Sequence, residues 1–306
     1  MEADILLHAI LAPLLLAAAL LCAPWVVWLA PGRPSRRDGG QGVPGGAMAQ
    51  PRLAIASLAL VPLAAFAHQQ ELAGPAAWGA TIVRPGTAFD RLPLAVLAAA
   101  FVGIAMDRVA RAGGALGALA IGAVAATASC VMLQPPGHGS AEWRLAAAMV
   151  AAVAAFGSIA SAGGTTRAAF VAWWGTLAAA SGACLLAGFA KLAVVLGAAS
   201  AAAALGAVTC GVMPWVRADG GMGALFAVIL GAGTFLGLGY DERGLPLACW
   251  ATVALAPATS LLANAVHGRP RLANALRAGL PIAVSAAAVA VAAALTASAG
   301  PEASGY

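Results

Sequence analysis

The sequence predicts an all-α fold: a polytopic transmembrane helical bundle of about ten spans, with the N-terminus and the C-terminus both outside the cytoplasm. Three observations lead there. Of 306 residues, 62% are hydrophobic and only 9% are charged, whereas a soluble domain is about one quarter charged. Sixteen basic and eleven acidic side chains cannot clothe a soluble protein of this length, so lipid must cover the rest. The apolar residues also fall into runs of the roughly 20 residues needed to cross a hydrocarbon core about 30 Å thick. Finally, the basic residues sit in the short gaps between those runs, where they set orientation.

The first run, 5–30, follows Glu2 and Asp4 and precedes Arg33, Arg36 and Arg37. That charge order is the reverse of a secretory signal, so the run is expected to be a retained helix whose leading end faces outward. Residues 31–51, PGRPSRRDGGQGVPGGAMAQP, are rich in Gly, Pro and Arg and predict a flexible cytoplasmic loop near anionic headgroups. A second span covers 53–70. An outer loop, 71–91, then holds Trp78, Arg84, Asp90 and Arg91 around Pro75 and Pro85. Spans at 92–109, 115–133 and 143–162 follow, and 222–240, 246–266 and 275–297 complete the set. All belong to one domain, 1–306.

The stretch 168–213 is nearly unbroken and about twice one span long, with only Gly188, Phe189 and Lys191 to mark a turn. Charge placement favours a two-helix hairpin. With ten spans, Arg33, Arg36, Arg37, Arg52, Arg108, Arg111, Arg167, Arg217, Arg269, Arg271 and Arg277 lie inside, against Arg84, Arg91, Arg144, Lys191 and Arg243 outside. A single crossing flips every later loop, erases most of that bias and strands Lys191 in hydrocarbon.

Small residues at four-residue spacing let helix backbones approach closely. Such sets are Gly113, Gly117 and Ile121; Gly114, Ala118 and Gly122; Gly157 with Ser161; and Gly233 with Gly237. They are expected to serve helix contacts, within the chain or with a protein partner or a second copy.

Intramembrane ionisable residues, the usual mark of transport or proton transfer, are almost missing. Lys191 lies at a turn and is expected to snorkel. His8, His138 and His267 sit singly near membrane edges. His68 differs, because His68, Gln69 and Glu71 form a polar group at the outer end of the second span that Arg84, Asp90 or Arg91 could approach. This outer cluster is the candidate site. Pro13, Pro62 and Pro257 are candidate kinks, since each removes a helical hydrogen bond. Thr259, Ser260 and Asn264 beside Pro257 make the most polar stretch of any span.

No HExxH, GxSxG or Walker-type loop occurs, and Asp241 and Glu242 have Arg243 beside them in a short turn, as in a partly neutralised loop. Cys22, Cys130, Cys184, Cys210 and Cys249 lie in or at the edge of apolar runs without CxxC spacing, so no disulfide, metal or cofactor is expected. The net charge of +5 comes without a basic stripe or aromatic interleaving, so no nucleic-acid partner is expected; the bilayer is the expected partner.

Length and span count resemble the drug/metabolite transporter class, which is built from two five-helix repeats. That likeness implies broken helices at matching positions of the halves. Pro62 in the second span has no counterpart in the seventh, Pro257 in the ninth has none in the fourth, and the outside N-terminus also departs from that class. The stretches PLAAFAHQQELAG, FDRLPLAVLAAA, SGACLLAGFAKLA and GYDERGLPLACWATVALAP resemble an uncharacterised group of multi-pass membrane proteins of planctomycete-type bacteria. That resemblance implies a bacterial inner membrane and a conventional helical bundle, and carries no functional residues.

The expected function is a non-catalytic membrane component that scaffolds or binds a partner. The alternative is a small-molecule transporter, and the second alternative is an intramembrane enzyme. A polar cavity at the bilayer midplane would favour transport; a solid bundle would favour the scaffold.

Overall fold

A computed structural model describes residues 50–72, 87–101, 140–162, 164–212, 216, 218, 220–266 and 268–298. Among them 87% are helical and none forms a strand. Helix α1 is Gln50–Leu72. The turn Phe89–Arg91 leads into α2, described over 92–101. Helix α3 is Ala141–Ala162, α4 is Thr166–Leu186, α5 is Ala190–Thr209 and α6 is Gly220–Gly239. Helix α7, Leu247–Leu255, continues as a 3-10 helix over Ala256–Ala265, and α8 is Pro270–Ser298. Five of these segments are long and apolar enough to cross a membrane: α4, α5, α6, α7 with its continuation, and α8. The first and fourth expected spans lie outside the described residues, as do most of the loop at 71–91 and all of the loop expected at 31–51 except Gln50 and Pro51, which are the first residues of α1 rather than loop.

The stretch 168–213 is two helices. Helix α4 ends in a left-handed glycine, Gly188 at φ +89. Phe189 N–H reaches back to the Cys184 carbonyl at 2.9 Å and Gly188 N–H to that of Leu185 at 3.1 Å. This pair of bonds satisfies the last carbonyls of a helix and reverses the chain, and a residue without Cβ suits the left-handed position. Thr165 caps the other end of α4, its hydroxyl accepting from Ala168 N–H. The two helices are then joined along their length. Ser181 donates to the Ala193 carbonyl at 2.7 Å, and Ser200 donates to that of Trp174 at 2.9 Å.

Helix α6 is the centre of the bundle, touching α1, α3, α4, α5 and α7. Its glycines explain the fit. A Cβ on Gly233 would run into the Leu196 side chain of α5, and one on Gly237 would run into the Trp250 ring of α7. Phe226 of α6 stacks on Trp173 of α4 at 4.8 Å between ring centroids, and Phe170 meets both rings edge-on. Helix α8 packs along α4 and the 3-10 segment at the edge of the bundle.

The loops sort to two ends. At one end, Phe66 of α1 meets Phe89, Phe89 meets Phe189 and Phe189 meets Tyr240, with centroids 5.0, 5.4 and 4.8 Å apart. Glu242 N–H also bonds the Ala187 carbonyl there, tying the α6–α7 turn to the α4–α5 turn. The opposite end gathers Thr165, Asn264, Asn274 and Arg277.

Candidate functional site

The outer cluster nominated from the sequence is only partly within view. Gln69 is buried on α1. His68 and Glu71 lie in the last turns of that helix, and their side chains fall outside the description, as does Arg84. Asp90 and Arg91 sit in the turn before α2. The Asp90 carboxylate accepts from the Thr87 N–H and hydroxyl, both at 2.9 Å, while Thr87 Oγ1 accepts from Asp90 N–H at 3.3 Å. This reciprocal arrangement caps a helix start, which gives Asp90 a structural duty. The contact between Phe66 and Phe89 brings α1 and this turn together.

Of the proline kinks, Pro13 lies outside the described residues and Pro62 is buried within an unbroken α1. Pro257 stands where α7 tightens from α to 3-10 geometry. A 3-10 run of ten residues is long for a geometry used mostly in short pieces. It is wedged from one side, because a Cβ on Gly157 of α3 would collide with the backbone of Pro257 and Ala258. Gly157 therefore serves a contact within the chain, as do Gly233 and Gly237.

Around this break the structure assembles a polar group that the sequence shows only in fragments. The Ser161 and Ser260 hydroxyl oxygens are 2.7 Å apart, and both residues are fully buried. Ser161 can donate to the Gly157 carbonyl at 2.9 Å, and Ser260 to the Arg277 carbonyl at 3.3 Å. Each hydroxyl has one proton, and two oxygens at 2.7 Å must share one of them. The Arg277 carbonyl is the acceptor in need, because its partner four residues on is Pro281, which has no N–H. The proton order Ser161 to Ser260 to Arg277 C=O satisfies both demands. Ser285 in turn donates to the Pro281 carbonyl at 2.7 Å.

One turn closer to the end of the bundle, Arg277 Nη2 donates to Asn264 Oδ1 at 2.8 Å and Nη1 reaches Asn274 Oδ1 at 3.5 Å. Asn274 Oδ1 also accepts from Thr165 N–H at 3.3 Å. Gly164 makes room for this: a Cβ there would lie 2.8 Å from Arg277 Cδ and 2.9 Å from Asn274 Oδ1. The guanidinium is thus half-buried and held by two amides, and its Nε is buried without an acceptor.

No family model, no curated protein and no solved structure matches the chain. Geometry alone carries the functional reading.

The clefts are apolar. One of about 190 Å³ opens between α3, α6 and α7 and is lined by Trp143, Val150, Phe235, Leu247 and Trp250. A second of about 450 Å³ lies between α7 and α8, lined by Cys249, Val284, Val291 and Leu295 among others. Among the described residues neither has a charged side chain in its wall. Asp241 is turned into its own loop, where it accepts from the N–H groups of Arg243 and Leu245 and from Trp250 Nε1 at 3.0, 2.7 and 3.2 Å. Cys184, Cys210 and Cys249 are free thiols. Among the described residues, no three His, Cys, Asp or Glu side chains gather as a metal site.

Ser260 and Asn264 stood out in the sequence as the polar stretch beside Pro257. Ser161 drew notice only for its spacing from Gly157, Arg277 was counted only for topology, and Asn274 was missed. Pro270 carried the missing signal. Proline favours the first helical position, and starting the last span there, as the structure does, places Arg277 two turns inside it.

Proposed function

We propose that the chain is a ten-span protein of a bacterial inner membrane that works as a non-catalytic scaffold, binding a partner within the bilayer. The observation that carries this reading is the sealed centre. Helix α6 has 94% of its span buried and carries no ionisable residue. Its Thr234 hydroxyl is spent on its own helix, donating to the Leu230 carbonyl at 2.9 Å. A transporter needs a polar path to the midplane, and among the described residues the cleft that reaches α6, at Gly231, Thr234 and Phe235, has no charged side chain in its wall. By contrast α8 leaves Ala283, Ala287, Ala290 and Ala294 exposed along one face, the small-residue surface on which a partner helix can pack closely.

The orientation rests on the tally of basic residues over the whole sequence. Among the described loops, Arg167, Arg269, Arg271 and Arg277 at the end assigned here to the cytoplasm are matched by Arg91, Arg144, Lys191 and Arg243 at the other. A reporter that works only in the cytoplasm, fused after Tyr306, is expected to be silent; an active one reverses the orientation. The scaffold itself is tested by water access. In a protein with its native cysteines replaced, Ala227→Cys, at a fully buried position of α6 outside both clefts, should resist a membrane-impermeant maleimide from either side. Labelling there would replace the scaffold with transport.

Transport is the second reading, favoured by the broken ninth span. Transporter sites are often built on interrupted helices, and here Pro257, Ser260 and Ser161 surround such a break.

A further inference from the structure

We propose that Arg277, held by Asn264 and Asn274, is the phosphate clamp of a site for one anionic phospholipid. The starting point is a mismatch of charge. The guanidinium is fixed by two amide oxygens, which orient it but bring no negative charge. Among the described residues no carboxylate lies at this end of the bundle, and Arg167, Arg269 and Arg271 are exposed around it. Of the five N–H donors of an arginine, two are engaged. Each of Nη1 and Nη2 keeps one further N–H, the pair of donors with which arginine makes forked contacts to a phosphate.

The surroundings select a lipid over a soluble anion. Leu261 and Leu262 of the 3-10 segment and Leu272 of α8 are exposed at 43, 62 and 43%. The site therefore pairs a cation with apolar side chains pointing outward, as a headgroup with its acyl chains requires. Helix α8 has only 17% of its span buried, so hydrocarbon can lie along it below the clamp. Basic pockets between membrane helices hold anionic headgroups by the same logic. Gly164 is part of the construction, because any side chain there would push Arg277 out of its two amides.

The test is lipid retention by the full chain, purified in detergent, offered equal amounts of phosphatidylglycerol and phosphatidylcholine, and weighed intact by mass spectrometry. One bound phosphatidylglycerol is expected, preferred about fivefold or more, the factor that one basic residue near a membrane surface contributes. Arg277→Gln should bring the preference close to one, while Arg271→Gln, a solvent-exposed charge outside the two amides, should change it less than about twofold. Equal retention of both lipids by the wild-type chain overturns the proposal, and this arm needs no variant to fold. An undiminished preference in Arg277→Gln overturns it as well. So does an equal loss in Arg271→Gln, which would mean diffuse surface charge. Complete displacement of the lipid by millimolar inorganic phosphate would make the site one for free phosphate and also sink the lipid assignment.

Discussion

Helices α6 and α8 are both of membrane-spanning length and both strongly apolar, yet 94% of one span is buried and 17% of the other. In water such a difference would follow hydropathy, but in a bilayer lipid tails are as apolar as leucine, so hydropathy does not choose which helix goes to the centre. Shape does. Helix α6 carries glycines against Leu196 and Trp250, so that large neighbours close onto its backbone. Helix α8 is rich in alanine and buries Ala273, Pro281, Ser285 and Ala292, with Ile282 set against Gly175 of α4 as its close fit onto a glycine. Position in this bundle is set by where small residues face large ones, with hydroxyls mending the backbone where proline interrupts it.

The largest expected effect tests the centre. Gly237→Leu forces a side chain into Trp250 and Cys184, and should cost about 3 kcal/mol, the upper range for overpacking, read as a lower midpoint of unfolding in mixed micelles. A variant as stable as the parent would mean that α6 is not sealed as described. Next, Asp241→Ala at the end of α6 strands Leu245 N–H and Trp250 Nε1, at a cost of about 2 kcal/mol; the fluorescence of a tryptophan losing its acceptor should change with it. Ser260→Ala probes the attachment of α8 by leaving the Arg277 carbonyl bare. Its cost should be about 1 kcal/mol, in keeping with the modest worth of hydroxyl bonds in membranes. The smallest effect has the opposite sign. Gly279 of α8 has open space around its Cα, so Gly279→Ala should stabilise by up to about 1 kcal/mol through helix propensity. A loss there would reveal a partner already seated on that face, and so break the contrast between the two helices.

Helix positions were the legible part of this sequence. The span expected at 143–162 is Ala141–Ala162, and the turn expected at Gly188 is there, because span length and a left-handed glycine are local properties. The seventh span ends at Thr209 rather than 213, and the last begins at Pro270 rather than 275. The tightening of the ninth span into 3-10 geometry was not legible. Pro257 announces a lost hydrogen bond, but the wedge beside it is Gly157, one hundred positions away in the chain. The meeting of Ser161 with Ser260 is long-range in the same sense. Arg277 was hidden for another reason: arginines at helix ends are so well explained by orientation that a second duty leaves no mark in composition.

The arrangement around α6 also bears on how the protein is made. Its extensive contacts are with α1, α3, α4, α5 and α7, and of these only α7 is synthesised after it. Among the described residues, every element that packs extensively on α6 is therefore synthesised before α8. Helix α8 arrives with the Arg277 carbonyl unpaired within its own helix, because Pro281 has no N–H, and Ser260 is already in place to donate to it. Among the described residues the neighbours of α6 thus come ahead of α8 in time, and the direction of synthesis gives the loosely covered α8 no early claim on the middle.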